Sequence, residues 1–183
     1  MGIGGQRVTI VVDVANVMGS RPDGWWRDRA GAAVRLHAEI ARLAASGRAI
    51  LRDEPGEASE PGEPGENEAE QASVPGFVMV LEGAAKAAAA RLAPAEPDAQ
   101  AEPDTPGAPS GSATPGATLR PVRPGEVRVV QAAGSGDDAI VAVVRQLPGR
   151  RVVVTADRGL RERCVAAGAE IRGPGWLLGL ISG

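Results

Sequence analysis

A chain of 183 residues with one cysteine, Cys164, and one histidine, His37, excludes an internal disulfide, a multi-cysteine zinc site and RNA cleavage by paired histidines. Its formal charge of −3 conceals a partition: residues 53–74 and 94–119 hold 12 of the 23 acidic residues and none of the 20 basic ones, leaving the remainder at a net +9. A basic body suits a polyanionic partner such as nucleic acid. The N-terminus has no basic region ahead of a long apolar run, and no apolar stretch approaches the ~18 residues that span a bilayer, so the expectation is a cytoplasmic protein without a membrane partner.

In chain order, Val8 to Val12 is a β-branched run typical of a strand buried on both faces. A helix is predicted from Trp26 to Ala45, with Ala33, Leu36, Ile40 and Leu43 on one face and Gly47 closing it. His37 lies beside that face and reads as structural. Residues 53–75 (EPGEASEPGEPGENEAEQ) and 94–124 (PAEPDAQAEPDTPGAPSGSATPGAT) contain almost no large apolar side chains to offset the entropy of ordering, and read as two disordered acidic insertions. Between them, Phe77 to Leu81 is a second strand and Ala84 to Leu92 a short helix ended by Pro94.

Val127 to Gln131 is a third strand and Asp138 to Leu147 a helix. Val152 to Thr155 is a fourth strand, Gly159 to Ala167 a helix holding Cys164 as a buried, inert thiol, and Ala169 to Arg172 a fifth. Trp176 to Ile181 is a terminal helical turn. Strands alternating with helices predict one α/β domain over residues 1–183, a parallel sheet with helices on both faces. Function is expected at the carboxyl ends of the strands, where the strand order reverses.

Acids collect at those ends: Asp13 in VVDVAN, Glu82 in VMVLEG and Asp157 in VVVTADRG, with Asp137 and Asp138 opening a helix in AAGSGDDAIV. Carboxylates at 4 Å repel by roughly 4 kcal/mol per pair at an effective dielectric near 20, so a convergence of this kind needs a cation, and a hard divalent metal is the natural one. Asn16 adds an amide oxygen. Any single acid among these also fits a helix N-cap, a reading least persuasive for Asp13 among its apolar neighbours.

The DxxN of Asp13 to Asn16, the Asp137-Asp138 pair before an apolar helix and the TxDR of Thr155 to Arg158 resemble the NYN branch of the PIN-like nuclease superfamily. VVDVANVMGSRPDGWWRDRA together with TADRGLRERCVAAGAEIRGPGWLL is similar to its YacP-like bacterial members. The resemblance covers about 90 residues at the two ends of the chain. It implies a five-stranded sheet in the order 3-2-1-4-5, Mg2+ or Mn2+ at the acidic cluster, and endoribonuclease activity, in some members on messenger RNA at the ribosome.

On that reading Asp13, Asp137, Asp138 and Asp157 are catalytic. Asp13, Asn16, Asp138 and Asp157 hold metal, and Glu82 is an added ligand candidate outside the motif. The ion activates water for in-line attack, leaving 5′-phosphate and 3′-hydroxyl ends. Arg21, Ser135, Thr155, Arg158 and Arg161 are substrate-binding candidates, Ser135 also fitting a helix cap, and Trp25 and Trp26 either stack on unpaired bases or anchor the helix that follows.

Three other protein classes fail, one on length and two at named residues. GSGDD also resembles the anion hole of ribokinase-type sugar kinases, but those chains are much longer and need a nucleotide pocket, so no nucleotide cofactor is expected. A haloacid dehalogenase-type phosphatase needs an acid where Ala15 stands. A receiver domain needs a phospho-acceptor where Gln131 and Ala132 stand. The alternative from another class is a non-catalytic RNA-binding or ribosome-associated module on the same fold.

Overall fold

The computed structural model describes residues 7–48, 74–92 and 119–182. The elements are β1 (Val8–Asp13), α1 (Val14–Gly19), α2 (Arg29–Ala45), β2 (Gly76–Leu81), a 3-10 helix (Gly83–Ala87), α3 (Ala88–Leu92), β3 (Val127–Gln131), α4 (Gly136–Gln146), β4 (Arg150–Val154), α5 (Arg158–Ala166), β5 (Glu170–Arg172) and α6 (Pro174–Ser182). All the strands pair in parallel, in the order β3-β2-β1-β4-β5. Two strands on one side of β1 and two on the other put the reversal between β1 and β4, the position at which a parallel sheet opens a crevice.

Alternation along the strands divides the core into two layers. Ile10, Val12, Phe77, Met79, Val152 and Val154 face α1, α2, α3 and α6. Val11, Val78, Val80 and Val153 face α4 and α5. Ile10, Val11 and Val12 are fully buried, which is why β1 carries no polar face. Each such side chain contributes about 1.5–3 kcal/mol of burial free energy.

Several boundaries differ from the sequence expectation, each for a local reason. The long helix starts at Arg29 rather than Trp26, because the Asp28 carboxylate accepts the Gly31 N–H at 2.8 Å and caps the helix there. The six-residue α1 has no counterpart in the sequence reading, since it is too short to show a period. The helix expected from Ala84 begins as a 3-10 turn at Gly83. β4 begins at Arg150, whose guanidinium donates to Glu170 of β5 at 2.6 Å and so keeps an arginine in a strand.

The proposed insertions fall largely outside the described residues, but their carboxyl-side borders do not. Residues 119–124 are anchored at one point: Val122 is 1% exposed, while its neighbours at 120, 121, 123 and 124 are exposed, and it lies against Gly76, where a Cβ would stand 2.6 Å from Val122 Cγ1 and 2.7 Å from the Arg123 carbonyl. Only glycine fits at the start of β2. Among the described residues no helix is long and apolar enough to cross a membrane.

Candidate functional site

The two-residue period of the strands selects which side chains meet. Val11 faces the α4/α5 layer, so Asp13, two residues on, faces it too; Val80 does the same for Glu82 and Val153 for Thr155. The register aligns Val12 with Val154 and Asp13 with Val80. One step further, Thr155 stands beside Asp13 across the β1–β4 crevice. α4 and α5 both begin at this edge and present their amino ends to it.

Hydrogen bonds then fix three of the carboxylates. Asp13 is 5% exposed, and its Oδ1 accepts the Asn16 backbone N–H at 3.1 Å, making it the N-cap of α1 that its apolar neighbours had argued against. Its Oδ2 accepts from Asn16 Nδ2 at 2.7 Å and from the Thr155 hydroxyl at 2.8 Å. Thr155 Oγ1 in turn accepts the Asp157 N–H at 3.1 Å, and Asp157 Oδ1 caps α5 by accepting the Leu160 N–H at 2.7 Å. A continuous chain of bonds thus runs from Asp13 to Asp157, 142 residues apart at its longest step.

Glu82 reaches across to α4, where its Oε2 accepts the Gly136 N–H at 2.9 Å. Ser135 is the N-cap residue by position, but its hydroxyl makes no capping bond, and Glu82 satisfies that end of the helix instead. Gly136 makes this contact possible, since a Cβ there would overlap the Glu82 carboxylate.

Of the five site acids, Asp137 is the one without a hydrogen bond among the described residues, its nearest cation being Arg163. Burial pushes its pKa above the usual carboxylate range, and the charges of Asp157, Asp13 and Glu82 push it the same way. Arg163 opposes them from 4.0 Å. The adjacent Asp138 is turned elsewhere: its side chain is 72% exposed and bonded to Arg163 at 2.5 Å. Sequence alone paired Asp138 with the metal; the helix places Asp137 among the other acids. Sequence spacing does not single out Arg163, which sits among several arginines of α5.

The remaining candidates divide. Arg158 is 94% exposed and only loosely paired with Glu162 at 3.5 Å, and Arg161 is exposed on the same helix, so both stay available to a ligand. Ser135 is exposed at the rim. Arg21 points away, its guanidinium bonded to Glu39 of α2 and only 17% exposed. His37 lies on α2 beside a groove of about 380 Å3 that Arg120, Glu126 and Arg128 also line, and burial lowers its pKa. Cys164 is fully buried, with burial raising its thiol to about 11.

The donor set is chemically suited to a hard cation: all oxygen, rich in charge, with one carboxylate held against three others. Among the described residues, however, no three His, Cys, Asp or Glu side chains stand close enough together to form a ligand shell as they are. The carboxylates are coupled through charge and through shared hydrogen bonds, and direct chelation requires them to close further.

No family model matches the chain, and no curated protein does either. Among solved structures, the chain is similar to Rae1 (YacP) from Bacillus subtilis, with 12% identity and a TM-score of 0.48 over 95% of this chain and 74% of that one.

Proposed function

We propose that the chain is a metal-dependent endoribonuclease that hydrolyses RNA phosphodiester bonds at the carboxyl edge of β1 and β4. The observation that carries this reading is the bonded path Asp13–Thr155–Asp157, with Glu82 tied to the residue before Asp137, which gathers four carboxylates at the one sheet edge where a parallel fold opens.

Asp13, Asp137 and Asp157 would hold Mg2+ or Mn2+, with Asn16 and Glu82 as further oxygen donors. Such an ion supplies neutralising charge and a lowered pKa for water, which is the chemistry phosphodiester hydrolysis needs. Asn16 and Thr155 hold Asp13 in its orientation, because both donate to its oxygens. Arg158 and Arg161, exposed beside Asp157, are placed to draw phosphates to the rim. Products carry 5′-phosphate and 3′-hydroxyl ends.

One observation favours a second reading, a non-catalytic RNA-binding module. Asp13, Asp157 and Glu82 each already accept an N–H at the start of a helix, so each has a structural duty. The two readings separate in one assay, the purified chain incubated with structured and unstructured RNA and Mn2+. Cleavage lost with EDTA and in Asp137→Asn supports the nuclease. RNA binding with no cleavage of any substrate supports the module.

A further inference from the structure

The loop between α1 and α2 displays the largest exposed aromatic among the described residues, Trp26, at 57% exposure. A tryptophan costs free energy in water, yet this one is held in place. Trp25 stands against it edge to face, with centroids 6.3 Å apart and an interplanar angle of 87°. Trp25 itself is half buried against the α2 layer. Its Cζ2 lies 3.8 Å from where a Cβ on Gly19 would be, and the Arg29 guanidinium covers its ring at 5.4 Å. The Asp23 carboxylate accepts the Trp25 N–H at 3.1 Å and fixes the turn.

The position of the pair gives it meaning. α1 begins at the residue after Asp13 and is six residues long, so Trp25 packs on the far end of a helix that rises only about 9 Å from the acidic rim. α2 runs from this loop toward the opposite edge of the sheet, where the Ala44 carbonyl nears Gly125 before β3. Trp26 is therefore on the same pole as Asp13. Arg27 and Arg29 flank it, exposed and without an ion pair among the described residues, while the neighbouring Asp23 and Asp28 are occupied by backbone N–H groups.

We infer that Trp26 is a stacking platform for an unpaired base of single-stranded RNA whose backbone runs over Arg27 and Arg29 toward the acidic rim; the identity of the ligand rests on the nuclease reading. A free aromatic face with flanking cations recognises a base and its phosphates, independent of base identity. A duplex keeps its bases stacked on one another and offers no face to the ring.

The test measures fluorescence anisotropy in EDTA with two labelled probes of equal length, oligouridine and an abasic ribose-phosphate strand. Trp26→Ala is expected to weaken oligouridine binding about ten- to hundredfold and to leave abasic binding unchanged, while Trp26→Phe stays within a few-fold of wild type. With a cleavable substrate, Trp26→Ala is expected to raise KM far more than it lowers kcat. An unaltered melting temperature checks the fold.

Equal oligouridine affinity in Trp26→Ala, an equal loss on both probes, or loss of self-association in place of RNA binding overturns the inference. Because binding is read without metal, an inactive wild type that shows the expected pattern overturns only the nuclease reading. An active Trp26→Ala with unchanged KM overturns only the stacking role.

Discussion

Asp137 faces three carboxylates with a single arginine to offset them, and the consequence is readable in stability. Its raised pKa, caused first by burial and then by Asp157, Asp13 and Glu82, means that the folded chain holds this proton to higher pH than the unfolded chain does. The fold therefore loses stability as pH rises from about 3.8 through the raised value, and stays penalised at neutral pH. Asp137→Asn is expected to raise metal-free stability at neutral pH by less than about 1 kcal/mol, given that the side chain is 44% exposed and screened by solvent. The gain should vanish in melts at about pH 3, where the wild-type carboxyl is itself protonated. A variant less stable than wild type at neutral pH would show that the charges do not press on one another. The choice between Asp137 and Asp138 was legible in principle. Asp137 precedes the buried Ile140, Val141 and Val144 by three, four and seven positions, so it shares their face, and Asp138 is a hundred degrees away.

At the scale of elements, Glu126 anchors the turn that feeds the edge strand β3. Burial opposes its charge, but the Arg123 N–H and the Arg128 and Arg120 guanidiniums outweigh burial and hold its pKa at about 2. A depressed carboxylate stabilises the fold above its unfolded pKa of about 4.5, and this contribution disappears as pH falls toward 2. Glu126→Gln is expected to cost about 1–3 kcal/mol in urea melts at neutral pH, and much less at about pH 2.5. Equal cost at both would mean that packing, not charge, holds the turn. The sequence hides this anchor because the prolines of 121–124 resemble those of the preceding acidic stretch, whereas Val122 alone carries the burial signal. Strands were legible for the opposite reason: β-branched runs such as Val8–Val12 and Val152–Val154 admit no other fully buried element so short. The Glu82–Gly136 bond, spanning 54 residues, follows from topology and is invisible to any local pattern.

Across the whole molecule, the carboxylates of the candidate site occupy the carboxyl edge of the sheet. The amino ends of α1, α4 and α5 converge on that edge, and their dipoles favour negative charge there. They do so by engaging Asp13, Glu82 and Asp157, while the fourth carboxylate, Asp137, has only the Arg163 guanidinium at 4.0 Å as a counter-charge among the described residues. An ion that binds only the folded state stabilises it by mass action, by about 2.7 kcal/mol at a concentration a hundredfold above Kd. For a chain of this size each kcal/mol raises Tm by about 2–4 °C. Mn2+ is accordingly expected to raise Tm by about 5–10 °C at saturation, with KCl of equal ionic strength producing little change, since screening of exposed charges is weak beside site binding. Asp137→Asn supplies the control, because its carboxylate bonds to no backbone group and its loss leaves the three helix caps intact. If its Tm rises with Mn2+ as far as that of wild type, the ion binds elsewhere and the carboxylates of this edge are helix caps alone.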